Sequence, residues 1–157
     1  MTFIVTFPLE KILTEIKKVT RRTSKPSGYY SGSIDPETTA TIFSVSGKRG
    51  RMKGYILRTR HVSPGFVKIT MTIDGVDIFE LFMAGVISIF NTDPADVRVP
   101  TYAKPIAITM IDTTDHEYGF SWTTEEHFEN EFKITIRNYD SSTTLEYDLL
   151  ISIDEEV

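Results

Sequence analysis

The chain has 157 residues, 40% of them hydrophobic and 25% charged, with a formal net charge of −5 and no cysteine. That length suits one domain with a single sizeable core. The missing cysteines exclude disulfide frameworks, thiolate nucleophiles and Cys-ligated zinc or iron–sulfur centres. Charge is unevenly distributed: residues 1–60 hold twelve of the seventeen Lys and Arg and four acids, net +8, while residues 61–157 hold five Lys and Arg and eighteen acids, net −13. A fold this polarised can attract copies of itself or a charged partner.

Residues 2–7 are rich in strand formers and stop at Pro8. Leu9, Ile12, Leu13, Ile16 and Val19 then fall on one helical face, while Glu10, Lys11, Glu15, Lys17, Lys18, Arg21 and Arg22 take the other positions. This predicts one N-terminal helix. The Ser, Pro, Gly and Tyr content of residues 23–38 predicts a loop. Residues 1–38 thus read as an arm and linker, residues 39–157 as the main domain.

From Thr39 the period changes to two. Val67, Ile69, Met71 and Ile73 alternate with Lys68, Thr70 and Thr72, and Asp74-Gly75 follows at once, predicting a hairpin to Val76–Phe79. Phe132, Ile134 and Ile136, a polar stretch 138–143, then Leu145, Tyr147, Leu149, Ile151 and Ile153 predict a second hairpin. Further strands are expected over 39–45, 52–60, 86–90 and 106–111, with prolines marking the connections. The expected fold is all-β: an antiparallel, jelly-roll-like sandwich of about eight to ten strands plus the N-terminal helix.

Two basic clusters, Lys17, Lys18, Arg21, Arg22, Lys25 and Lys48, Arg49, Arg51, Lys53, with Arg58, Arg60 and His61 beyond, could meet phosphates, but they also suit a helix end and a turn. The acidic total weighs against nucleic acid. Thr123 stands three residues before Glu126, a capping-box spacing that predicts a helical turn. His127 with Glu125, Glu126 and Glu129, and His116-Glu117, lack the spacing of a zinc site, so no metal or other cofactor is expected. Tyr29, Tyr30, Tyr102, Tyr118, Phe120 and Trp122 read as loop aromatics, suited to an interface or to stacking on sugars. No stretch is apolar for the roughly 18 residues that a membrane span needs, and the N-terminus lacks the basic start of a signal peptide.

The order Ala40–Gly47 ending in Ser-Gly, Gly54–Thr59, Lys68–Gly75 ending in Ile-Asp-Gly, and Phe132–Asn138 before Leu145–Tyr147 resembles β-sandwich structural proteins of bacterial and archaeal viruses across residues 39–150. The N-terminal helix and the basic tip 48–53 have no place in that pattern. The resemblance implies a non-enzymatic virion component, in the capsid, the decoration or the tail, made in the host cytoplasm. Its partners would be copies of itself and other virion proteins. Interface candidates are then Leu9, Ile12, Leu13, Ile16, Lys17, Lys18, Arg21, Arg22, Arg49 and Arg51, with the basic surface of one copy facing the acidic surface of another. A carbohydrate-binding module is the alternative, expected to be monomeric with a row of exposed aromatics.

Overall fold

The computed structural model describes residues 22–24, 28–90 and 105–156. These residues form two antiparallel sheets packed face to face. The larger has seven strands: β1 (Arg22–Ser24), β2 (Gly28–Ile34), β4 (Gly50–Arg60), β7 (Ile106–Asp112), β8 (Glu117–Trp122), β9 (Glu126–Phe128) and β11 (Leu145–Glu156). The smaller has four, in the order β3 (Thr39–Ser46), β10 (Glu131–Asn138), β5 (Val67–Ile73) and β6 (Val76–Phe82).

Alternation sets the inner faces. In the smaller sheet Phe43, Ile134, Met71 and Phe79 form one inward row and Ala40, Ile136, Ile69 and Leu81 another. The larger sheet answers with the rows Ile151, Tyr55, Trp122, Ile106 and Leu149, Leu57, Phe120, Ile108. Phe79 bridges the layers, its ring 5.5 Å from Trp122 and 6.1 Å from Phe120 in edge-on or tilted contact. Val67, Ile69, Met71, Ile134, Ile136, Leu149 and Ile151 are buried, as the alternation predicts, and Tyr147 packs half-buried against them.

The β5–β6 turn is the hairpin that the sequence spells. Asp74 and Gly75 both take positive φ, 50° and 80°, the twist that a two-residue hairpin needs. The predicted second hairpin is not one. β10 pairs with β3 and β5, whereas β11 pairs with β1, β2 and β4, so residues 139–144 carry the chain from one sheet to the other. Alternation on both sides of a short polar turn looks the same in a hairpin and in such a corner. Asn138 holds this corner closed. Fully buried, it donates from its amide nitrogen to the carbonyls of Ile34 and Thr143, and its oxygen accepts from the Asp140 N–H.

Three other local readings change. Within the expected loop 23–38, residues 23–24 and 28–34 are strand, because β1 and β2 both pair with β11, while residues 35–38 form the turn expected at Pro36. Residues 86–90 are not a strand: Met83–Phe90 form a helix, α1, placing Met83, Val86 and Ile87 against the core. Their β-branched composition suggests strand, but the 83, 86, 87 spacing is that of a helical face. The capping-box turn is strand β9, with Glu126 opposite Met52. The helix expected over residues 9–22 and the strand over 2–7 fall, but for Arg22 in β1, outside the described residues; among those, α1 is the one α-helix and it is internal.

Candidate functional site

The split charge of the sequence becomes pairing within the fold. Strand β4, which carries Arg51, Lys53, Arg58 and Arg60, lies between acidic β11 on one side and β8 and β9 on the other. Arg58 bonds Asp148 and reaches Glu117, and Arg60 bonds Glu117 and Glu146. Arg51 bridges Glu125 at 3.0 Å and Asp154 at 3.1 Å, and Lys53 meets the same Asp154 at 2.9 Å. At the β3–β4 connection Lys48 pairs with the buried Glu155 and Arg49 with Glu129. The cations of residues 48–60 are thus each paired with an acid of the same chain. Arg49 and Arg51, the interface candidates of this stretch, pair with Glu129 and with Glu125 and Asp154. Leu9, Ile12, Leu13, Ile16, Lys17, Lys18 and Arg21 lie outside the described residues, and Arg22 opens β1, its backbone opposite Glu156.

These pairs shift the proton equilibria of their carboxylates. The Tyr29 hydroxyl and the Arg58 guanidinium hold Asp148 below the usual carboxylate range, and Lys53 and Arg51 do the same for Asp154. Glu117 pushes Arg60 up, and Asp148 does the same for Arg58 and for the Tyr29 hydroxyl.

The pairs form two belts on the outer face of the larger sheet. One is the cluster of Glu125, Arg51, Lys53 and Asp154. The other consists of two cross-strand rows, Asp148–Arg58–Gly119–Met110 and Glu146–Arg60–Glu117–Asp112. Between the belts runs the row Tyr29–Leu150–Ile56–Ser121–Ala107. Here Ile56 and Leu150 are each 44% exposed and Tyr29 is 65% exposed, with Met110 exposed beside them. Ile56 and Leu150 face each other across β4 and β11, so their side chains merge into one apolar ridge.

Glycines shape the ground beside that ridge. Gly119 stands between Arg58 and Met110 and presents no side chain; a depression of about 390 Å³ opens among Tyr29, Ile56, Arg58, Met110, Asp148 and Leu150. Gly54 does the same opposite Ser152. Its φ of 156° and the Trp122 carbonyl 2.8 Å from where a Cβ would sit leave no room for a side chain. A second depression, about 500 Å³, lies there between Ile56, Leu150, Ser121, Thr123 and Ser152. The ridge therefore stands between two shallow hollows.

The other candidate residues scatter. Tyr118, Phe120 and Trp122 lie on β8 and are buried in the core, where no sugar or partner reaches them. Their alternation with Gly119 and Ser121 is the signal for a strand. Tyr30 turns inward at the sheet edge against Phe43, and Tyr102 is outside the described residues. His127 sits on β9 opposite Arg51, His116 is in the β7–β8 turn, and among the described residues no three His, Asp or Glu side chains converge on a metal position. No described helix is long and apolar enough to cross a membrane. His61, which follows the basic residues of β4, is buried with its Nε2 3.6 Å from Asp140, and the Ser63 N–H donates to its Nδ1.

No protein-family model matches this chain, and no curated protein does.

Proposed function

We propose that the chain is a non-enzymatic virion structural protein, a jelly-roll-like sandwich that assembles through the outer face of its seven-stranded sheet. The observation that carries the assembly is the apolar row of Tyr29, Leu150 and Ile56, bracketed by belts whose cations are each paired with an acid of the same chain. A face with an apolar centre and a charged, hydrogen-bonded rim has the anatomy of a protein–protein interface. Covering its centre removes carbon from water while the rim cations keep their acids. The viral setting is supported by the resemblance of residues 39–150 to virion sandwiches, with the Asp74-Gly75 turn and the Asn138 corner at two of its quoted motifs.

The carbohydrate-binding alternative needs a platform of exposed rings. Three of its six aromatics are core residues, and of the described ones Tyr29 is the one on the outer face.

The test is the solution mass of the full chain across concentration, by sedimentation equilibrium. Mass rising above the 17.9 kDa of one chain supports the proposal, with the single variants Ile56→Glu and Leu150→Glu each holding the protein at monomer mass while retaining its cooperative melt. A wild-type chain that stays monomeric at millimolar concentration, alone and with candidate virion partners, overturns it.

A further inference from the structure

We infer that the Ile56–Leu150 ridge receives the N-terminal segment of a second copy of this chain, an inference that rests on the assembly reading above. Both partners have a suitable shape and charge. Residues 1–21 carry Leu9, Ile12, Leu13, Ile16 and Val19 at the spacing of one helical face, and a segment of that length gains little stability alone in water. It needs an apolar surface. The ridge, with a hollow on either side, offers one, in the manner of an amphipathic segment seated between grooves.

Charge agrees. The segment holds Lys11, Lys17, Lys18 and Arg21 against Glu10 and Glu15. The belt on one side of the ridge holds four acids, Asp112, Glu117, Glu146 and Asp148, against two arginines, Arg58 and Arg60. A cationic segment thus meets a rim with acidic excess.

The place where the segment joins the sandwich indicates a second copy. Arg22 lies opposite Glu156, and Tyr29 lies opposite Leu150. The described strand β1 thus begins about 20 Å from the ridge, six residues of β11 at roughly 3.3 Å each. Strands β1 and β2 also fix residues 22–24 and 28–34 to β11, so the described stretch that precedes the ridge along the chain is held in the sheet. A segment from another copy approaches from any direction.

The chain has no cysteine, which makes a clean cross-linking test. Two full-length variants, Ile16→Cys and Leu150→Cys, are mixed and oxidised mildly, and the products are sized and mapped by peptide mass. The inference expects a disulfide between the two different variants, at about twice the 17.9 kDa of one chain, and at least a tenfold loss of that product when the Leu150→Cys chain also carries Ile56→Glu. Products joined only through Leu150→Cys to itself would mean that two sheet faces meet directly. That overturns the seated segment but keeps the assembly reading. The variant carrying both cysteines in one chain checks the other route: a bond formed only within one chain overturns the second copy. Self-association that persists with no cross-link of either kind also overturns the inference, whereas a wild-type chain with no self-association fails the underlying reading first.

Discussion

The two sheets share one core and differ on their outer faces. The smaller sheet turns outward the rows Thr41–Thr135–Thr70–Glu80 and Thr39–Arg137–Lys68–Phe82, in which Thr takes four of eight positions, Lys68 pairs with Glu80, and the exposed Phe82 on strand β6 is the one apolar residue. Threonine suits a strand that faces water, since its branched side chain fits the pleat while its hydroxyl stays solvated. The larger sheet turns outward an apolar ridge at its centre, in a register where the same strand preferences would be met by Thr. Ile and Leu there add nothing to strand formation that Thr lacks. What they add is surface that favours being covered. The difference between the faces is therefore a difference of use and not of folding, and four measurements can break or sharpen that distinction.

The largest effect is expected where the sheets do not differ. Phe120→Ala in the larger sheet should cost about 3–5 kcal/mol and Ile134→Ala in the smaller about 2–5 kcal/mol, because both side chains are fully buried and their removal leaves a cavity. Chemical denaturation of each variant measures this. A loss confined to one sheet's variant would mean that the layers do not share a core.

Next comes the corner between the sheets. Asn138→Ala removes the amide that holds the carbonyls of Ile34 and Thr143 and leaves buried acceptors unpaired. Each such orphan costs about 1–3 kcal/mol. A melt unchanged from the wild type would show that water or rearrangement replaces these bonds.

Asn138 also marks the limit of what the sequence discloses. Inward positions were legible wherever the alternation is strict, as in residues 67–73, 132–136 and 145–153, because a buried face forces a period of two. Pairing was not. The alternation that identifies β10 and β11 as strands says nothing about which strand lies beside which, so a sheet-switching corner read as a hairpin. Strand β8 was hidden because Tyr118, Gly119, Phe120, Ser121 and Trp122 mix the residue types of loop and core, and α1 because Val86, Ile87 and Ile89 favour strand locally while packing decides otherwise. For the candidate site, the uneven charge was legible but its meaning depended on register. Arg58 and Asp148 are 90 residues apart in sequence, and only the pairing of β4 with β11 brings them together. The ridge was missed for the same reason: Ile56 and Leu150 each look like one more strand residue until they stand opposite each other.

A third, smaller effect separates the two faces by pH. Asp148 and Asp154 on the larger sheet are held below the usual carboxylate range by hydroxyl and cationic partners, whereas Asp74, at the β5–β6 turn, is held there by the N–H groups of Glu129, Asn130 and Glu131. A depressed carboxylate contributes stability that is complete above its unfolded value, about 4, and is lost as pH falls through the depressed folded value. The melting temperature should therefore be level from about pH 7 to 5 and fall below about pH 4. High salt weakens cationic partners more than backbone N–H donors, so the part of that fall removed by Asp154→Asn, whose first partner is Lys53, should shrink in 1 M NaCl, while the part removed by Asp74→Asn should persist. Equal salt responses would show that the charge belts act no differently from the turn.

The smallest change in stability is expected from making the two outer faces alike. In the double variant Ile56→Thr and Leu150→Thr the larger sheet presents threonine where the smaller one does. Both positions are nearly half exposed in the single chain, and Thr keeps the strand preference, so the monomer should stay within about 0.5–1 kcal/mol of the wild type. Denaturation must be followed at a concentration low enough to keep both proteins monomeric, since association would otherwise add its own stabilisation. Above that concentration the proteins should diverge, the wild type gaining stability as it associates and the variant not. A loss of more than about 2 kcal/mol in the dilute monomer would be the size expected for truncating covered side chains. It would mean that the ridge is already sheltered within a single chain, and that the contrast between the faces arises from folding after all.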